Sequence, residues 1–382
     1  MELYKFVAPE IIFGRGALEQ VGESLARLGV KKVFVVSDPG VIAAGWVDKV
    51  LPHIREAGLD YTTWHEITSN PKDYEVHCGL ERYLESGCNA VLGVGGGSSI
   101  DAAKAIALLS TNEGHISDFE GVDKVRRALP PLIALPTTAG SGSEVTQFAV
   151  ITDSKRRMKM VIGSKSLIPD IALVDPQTLV TKGSELTAYT GMDALTHAIE
   201  AYVSLAATPL TDIQALNAVK LVTQYLPVSM SNRSDLTAKG AMAMASLQAG
   251  LALSNAILGL AHAMSHQLGG LLDMPHGEAN AILLPYVMEF NLPAAVDRYG
   301  AIAEAMGQRA GPVSRREAAQ QAVEAVRGLS RDLGIPEKLS KVGFTDEYLE
   351  TLSQNAIQDV CLVTNPRDVQ IDDVIKIFLA AL

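Results

Sequence analysis

AVLGVGGGSSIDAAKAIALL, residues 90–109, reads as a strand, a glycine turn and a helix in one uninterrupted run. Residues 90–95 are apolar or glycine, as in a strand buried on both faces of a parallel sheet. Gly95, Gly96 and Gly97 let the backbone approach an anion closely, and the helix that follows offers unpaired N–H groups at its N-terminus. Ser98 or Ser99 can cap that helix, and Asp101 completes its first turn. The spacing is not GxGxxG, so the run predicts a phosphate loop of another kind, and a glycine turn without a ligand is the plainer alternative.

Working outward, the first 180 residues alternate β-rich and helical patterns. Strands are predicted at 32–38, 60–64, 90–95, 132–137 and 172–174, with helices over 42–57, 74–86 and 100–109 between them. Residues 149–152 and 158–162, split by a charged turn, predict a β-hairpin. This order implies a doubly wound α/β domain over residues 1–180. From Leu186 onward apolar residues recur at helical spacing, with breaks expected at Pro209, Pro227, Pro275, Pro293 and Pro336, so residues 181–382 read as an all-α domain.

A second loop, LPTTAGSGSE at 135–144, follows another predicted strand. Its hydroxyls and glycines offer many donors to phosphate and ribose oxygens. Asp38 ends a strand as well. Its carboxylate suits a ribose 2′-hydroxyl and repels a 2′-phosphate, which favours NAD over NADP; before Pro39 it is equally suited to capping a turn.

Composition narrows the class. The chain has 382 residues and a formal net charge of −11, with no basic run longer than Lys155-Arg156-Arg157, so nucleic acid is not an expected partner. Three cysteines without CxxC spacing fit a reducing cytoplasm, and the N-terminal MELYKFVAPEIIFG lacks the pattern of a secretory leader. Residues 240–272 contain no Asp, Glu, Lys or Arg and could span a bilayer by length. Gln248, Asn255, His262 and His266 within them favour a helix buried in the all-α domain, and no membrane partner is expected.

Four side chains of the helical half could make a metal site. Asp193 and His197 stand at i and i+4 in TAYTGMDALTHAIEAYVS and share a helix face. His262 and His266 form another i, i+4 pair, and His276 follows in MPHGEANAILLP. A carboxylate with imidazoles and no thiolate suits a divalent metal. Spacing leaves open whether His266 or His276 completes the set; the other could be a proton relay near the substrate.

Taken together, GGGSSID, LPTTAGSGSEVT, GMDALTHAIEAYVS, GLAHAMSHQLGG, MPHGEANAILLPYVMEFN and CLVTNPRD resemble the iron-dependent (group III) alcohol dehydrogenase family, which includes lactaldehyde reductases and 1,3-propanediol dehydrogenases. Matches extend from FGRGALEQVGE to Asn365-Pro366-Arg367. The resemblance implies a Rossmann-like N-terminal domain, an all-α C-terminal domain and an active site in the interdomain cleft. It implies Asp193, His197, His262 and His276 as ligands of Fe2+, with Zn2+ as the alternative, and His266 as a non-ligand able to relay protons. It implies NAD contacts at Asp38, Asn70, Gly96, Gly97, Ser98, Thr137, Thr138, Ser141, Val150 and Lys159, and a substrate wall at Phe148, Leu253 and Cys361. The expected reaction interconverts short primary alcohols or diols with aldehydes, with hydride passing between the metal-held alcohol and NAD, in a cytoplasmic homodimer or larger homo-oligomer. Two residues depart from the family's usual pattern: Glu278 stands for a small apolar residue and Tyr286 for a histidine. Dehydroquinate synthase-like lyases also pair NAD with a metal, but they need cations for an anionic substrate, and few Lys or Arg lie near these metal motifs. A non-enzymatic nucleotide-binding module would leave the Asp193–His276 set without a purpose.

Overall fold

A computed structural model describes residues 4–308 and 313–382. The chain divides into two compact units, Val7–Lys182 and Gly183–Leu382, with residues 4–6 counted in the second.

The first unit contains strands β1 (Glu10–Phe13), β2 (Lys32–Val36), β3 (Asp60–Trp64), β4 (Ala90–Gly95), β5 (Gly121–Val122), β6 (Leu132–Pro136), β7 (Phe148–Asp153), β8 (Met158–Gly163) and β9 (Ile171–Val174). Its helices are α1 (Val21–Arg27), α2 (Pro39–Ala43), α3 (Trp46–Glu56), α4 (Asp73–Ser86) and α5 (Gly97–Thr111). Six strands form one parallel sheet in the order β1-β9-β6-β4-β2-β3. Successive residues of β2 supply opposite faces. Val33 and Val35 pack with Val21, Leu25, Val50 and Ile54 of α1 and α3, whereas Phe34 and Val36 pack with Val76 and Ile106 of α4 and α5. Helices thus cover both faces, and the sheet is doubly wound.

The predicted helix over 42–57 is two helices, because Gly45 adopts φ 78° between α2 and α3. Edge strand β1 carries no turn or alternation signal of its own and is defined by pairing with β9. The hairpin is β7 against β8, antiparallel, with Val150 opposite Val161 and Thr152 opposite Lys159.

The second unit, among the described residues, is helical: α6 (Ser184–Val203), α7 (Pro209–Ser231), α8 (Leu236–Ala256), α9 (Leu260–Leu272), α10 (His276–Asn291), α11 (Val296–Ala305), α12 (Arg315–Asp332), α13 (Leu349–Ala356) and α14 (Ile371–Ala381). Pro209 opens α7 as expected, but Pro227 does not break it. The buried face of α7, including Ala215, Val219, Val222 and Leu226, outweighs the lost backbone donor.

The uncharged stretch is not one helix. α8 and α9 meet at a bend of 103°, and no single helix among the described residues is long and apolar enough to cross a membrane. At the bend Ile257 adopts φ 62°, a strained conformation for a β-branched residue. Its neighbours are held from the CLVTNPRD segment. Thr364 Oγ1 donates to the Leu258 carbonyl at 2.8 Å, and the Leu260 N–H donates to Asn365 Oδ1 at 3.1 Å. That bracing fixes where α9, and so His262, begins.

Candidate active site

The chain leaves β2 to form β3 on one side and returns to form β4 on the other, so the crevice beyond the C-terminal ends of β2 and β4 lies at a topological switch point. Asp38 and the glycines fall there. Asp38 caps α2, with Oδ1 accepting from the Val41 N–H at 3.0 Å, and Oδ2 accepts from Ser99 Oγ at 2.8 Å. The capping role is therefore real, and each oxygen keeps a further lone pair for another donor.

Gly96 is the N-cap of α5, and Gly97 begins it. A Cβ on Gly97 would stand 2.8 Å from Ser141 Oγ, and one on Gly96 would stand 3.3 Å from the Thr138 side chain. The two predicted loops thus meet, and glycine is what lets them. Thr137 donates its N–H to the Gly95 carbonyl at 2.8 Å, while its fully buried Oγ1 has no partner. An orphan hydroxyl beside helix N–H groups, in a cradle that a Cβ would fill, fits an anionic ligand such as a dinucleotide pyrophosphate. Ser98 lies in the same first turn of α5.

Asn70, at φ 50°, accepts on its carbonyl from Thr152 Oγ1 at 3.3 Å, beside the hairpin that carries Val150 and buried Lys159. Phe148 opens β7, half-buried.

Beneath these loops lies a buried ionic group absent from the sequence expectations except for Asp101. Asp101 accepts from the Ser143 hydroxyl and, at 3.0 Å, from the Val150 N–H. Lys104, fully buried, donates to the carbonyls of Thr146 at 2.9 Å and Phe148 at 2.7 Å and to Thr146 Oγ1 at 3.0 Å. Burial draws the Lys104 ammonium down to about 8, against the pull of Asp101 and Glu144, and pushes the Glu144 carboxyl up to about 7. These bonds fasten the second loop to α5. The only signal for them was a lysine in the middle of an otherwise apolar helix.

In the helical unit, α6 supplies Asp193 and His197, α9 supplies His262, and α10 opens with His276. One ligand-type atom from each lies within 4.8 Å of the others. Asp193 Oδ1 is 3.9 Å from His262 Nε2 and 3.8 Å from His276 Nε2, and the His197 and His262 rings stack with centroids 4.5 Å apart. Three of the four residues are buried; His276 is partly exposed.

Two further residues organise the cluster. Glu200, buried, faces His262 Nδ1 at 2.6 Å and also accepts from the Ala261 N–H at 2.6 Å, so it caps α9. With Nδ1–H donated to Glu200, His262 Nε2 is left as a lone pair toward Asp193. Asn280 Nδ2 donates to Asp193 Oδ1 at 2.7 Å and lies 3.0 Å and 3.2 Å from Nε2 of His262 and His276, while its buried Oδ1 has no partner. One carboxylate and imidazole lone pairs converging on a polar focus, with an orphan amide oxygen beside them, fit a divalent cation. Glu200 was legible in principle as the next residue on the 193/197 helix face, and Asn280 as the i+4 partner of His276.

His266 belongs to a second group, with Asp359 and Cys361. Its Nδ1 lies 2.9 Å from Asp359 Oδ2, and its ring stacks on His276 with centroids 5.4 Å apart. Asp359 also accepts from the Cys361 N–H at 2.9 Å. Burial, then the Asp359 charge, pushes the Cys361 thiol well up, so it stays protonated. Leu253 is buried in the last turn of α8 before the bend. Asp359 had no sequence signal. Of the two departures noted in the sequence, Glu278 accepts from the Tyr189 hydroxyl at 2.9 Å, and the Tyr286 hydroxyl donates to the Glu337 carbonyl at 2.9 Å.

Comparison with known proteins adds a lineage to this geometry. The profile of the iron-containing alcohol dehydrogenases matches residues 8–176, and that of the C-terminal part of the Fe-containing alcohol dehydrogenase family matches residues 187–382. The chain is 42% identical over 377 residues to the NAD-dependent methanol dehydrogenase of Bacillus methanolicus, covering 99% of each. It is 42% identical over 382 residues to the 1,3-propanediol dehydrogenase of Citrobacter freundii, again covering 99% of each. A crystal structure of a 1,3-propanediol oxidoreductase superposes over 100% of both chains with a TM-score of 0.97 at 40% identity.

Proposed function

Because the chain belongs to the iron-containing alcohol dehydrogenase family, we propose that it interconverts short primary alcohols or diols with their aldehydes, using NAD(H) and a ferrous ion. The observation that carries this reading is the convergence of Asp193, His197, His262 and His276 on one focus in the helical unit. Zn2+ is the alternative occupant, since the donor set alone does not exclude it.

When bound, the metal polarises the substrate oxygen and the nicotinamide exchanges the hydride. The chain's own residues do the rest. Glu200 fixes the His262 tautomer, and Asn280 orients the Asp193 carboxylate. His266, held by Asp359 through Nδ1, presents Nε2 as a site through which the alcohol proton leaves. Gly96, Gly97, Ser98, Thr137, Thr138 and Ser141 receive the pyrophosphate, Asp38 the adenosine ribose, and Asn70, Val150 and Lys159 the remainder of NAD. Leu253 and Cys361 of the helical unit wall the substrate; being apolar or protonated, they suit a small uncharged alcohol.

The same reading places the enzyme in the cytoplasm as a homodimer or larger assembly, without nucleic-acid or membrane partners.

The test is a steady-state survey of C2–C6 alcohols and aldehydes with NAD(H) and NADP(H), on protein reconstituted anaerobically with Fe(II). Turnover that depends on added metal is expected. Full activity in protein shown by elemental analysis to be metal-free would overturn the proposal.

A further inference from the structure

His276 differs from its three companions. It is the first residue of α10, its side chain is 26% exposed, and its N-cap is Pro275, which supplies no side-chain bond. Asn280, one turn on, lies 3.2 Å from its Nε2 and bonds Asp193, and Ser265 Oγ lies 3.5 Å from its Nδ1. Its position opposite Asp193 also depends on how the start of α10 is held against α6, which carries Asp193 and His197.

Three contacts do this within five residues. Gly277 packs so closely on α6 that a Cβ would stand 2.5 Å from the Tyr189 carbonyl oxygen. Asn280 bonds Asp193. Between them, Glu278 Oε1 accepts from the Tyr189 hydroxyl at 2.9 Å, with Glu185 Oε1 a longer 3.5 Å from the same hydroxyl. Tyr189 precedes Asp193 by one helical turn, and Glu278 follows His276 by two residues. The bond therefore joins the two backbone segments that carry Asp193 and His276. Glu278 also lies in the first turn of α10, where a carboxylate is favoured by the helix dipole.

We propose that Tyr189 and Glu278 form a clamp across the α6–α10 seam that sets how tightly the metal is retained. Both are positioning residues: neither supplies a donor to the cluster, and both act through His276. The clamp slows opening of the one partly exposed ligand, which is the natural first step of metal release. The inference rests on the ligand set proposed above.

The test uses the full chain loaded anaerobically with Fe(II) and challenged with excess EDTA, with metal release followed in time. Tyr189→Phe and Glu278→Ala should each accelerate release about tenfold, at the low end of the 10–100-fold range for residues that orient metal ligands. The double variant should release no faster than either single one, because both delete the same bond. Glu278→Gln, which keeps an acceptor, should stay near the parent rate. NAD affinity of the metal-free protein should not change.

Parent-like release from both single variants would overturn the clamp, as would additive effects in the double variant. A drop in the unfolding midpoint of the metal-free variants as large as that of the loaded ones would also overturn it, since the role would then be structural only. Retention of metal by His276→Ala would instead refute the ligand set on which the clamp rests.

Discussion

Glu200 Oε2 lies 2.6 Å from Nδ1 of His262, with both side chains buried. A buried carboxylate this close fixes the proton on Nδ1 and turns Nε2 outward as a lone pair. It also ties the helix carrying Asp193 and His197 to the first turn of the helix carrying His262. One residue therefore sets both the tautomer and the position of a ligand.

Replacing that carboxylate should weaken the metal site without touching the nucleotide loops. Glu200→Gln keeps the shape but not the charge, and metal affinity is expected to fall about 10–100-fold. Competition with a chelator of known affinity measures it. An unchanged affinity would show that Glu200 serves only as a helix cap.

His262 and His266 stand one turn apart on α9, yet they face different partners. His262→Ala removes one of four proposed ligands and should lose the metal. His266→Ala should keep it, with kcat lowered by up to about 10²–10⁴-fold, the usual worth of general acid–base groups, and by less where water substitutes. Metal content of the two purified variants separates the roles. Metal loss from His266→Ala together with retention by His276→Ala would place the site on the His262–His266 pair instead.

The doubly wound sheet was legible because its strands are short apolar runs bounded by glycine and polar turns. The period-2 supply of Val33 and Phe34 to opposite faces is what such runs look like when both faces are buried. Edge strand β1 was not legible, since four residues without alternation become a strand only through pairing with β9. The bend after Ala256 was hidden too. Ile257 is a poor residue for a positive φ, and the bonds from Thr364 and Asn365 that brace the segment come from more than a hundred residues away. In the site, spacing found the i, i+4 pair of Asp193 and His197 but left His266 and His276 interchangeable. Only the turn that brings α10 beside α6 separates them, and local periodicity carries no information about it. Asp359 was invisible for the same reason.

The buried ions under the nucleotide loops make a pH prediction. Burial raises the Glu144 carboxyl from its ordinary 4.5 to about 7, with its own backbone N–H and then Lys104 acting the other way. A group that holds its proton more tightly when folded stabilises the fold at low pH, and that stability is lost as pH rises through the folded pKa. Glu144→Gln cannot titrate. Its urea midpoint should therefore exceed the parent's above about pH 7, and the gap should close toward about pH 5. Lys104 is present in both proteins, so its own titration largely cancels in the difference. A gap that does not vary across this range would mean that Glu144 is solvated or paired well enough to ionise at its ordinary value.

Cofactor choice turns on Asp38. Its two oxygens already serve Val41 and Ser99, so the carboxylate is held in one orientation at the end of β2. A fixed charge there would meet the 2′-phosphate of NADP. Two like charges about 4 Å apart cost about 1–4 kcal/mol in surroundings between water and a protein surface. Each 1.4 kcal/mol is a factor of about ten in binding. The parent should therefore prefer NAD at least about fivefold in kcat/KM. Asp38→Asn retains a cap for Val41 and a partner for Ser99 while removing the charge, so it isolates repulsion from structure. Asp38→Gly removes the cap as well, at a cost of only a few tenths of a kcal/mol. Both should raise kcat/KM for NADP relative to NAD. The rise should be helped by Lys182, which interacts electrostatically with Asp38 in the parent and would be left to attract the phosphate. Equal kcat/KM for the two cofactors in the parent, or an unchanged ratio in Asp38→Asn, would remove Asp38 from the specificity of this enzyme.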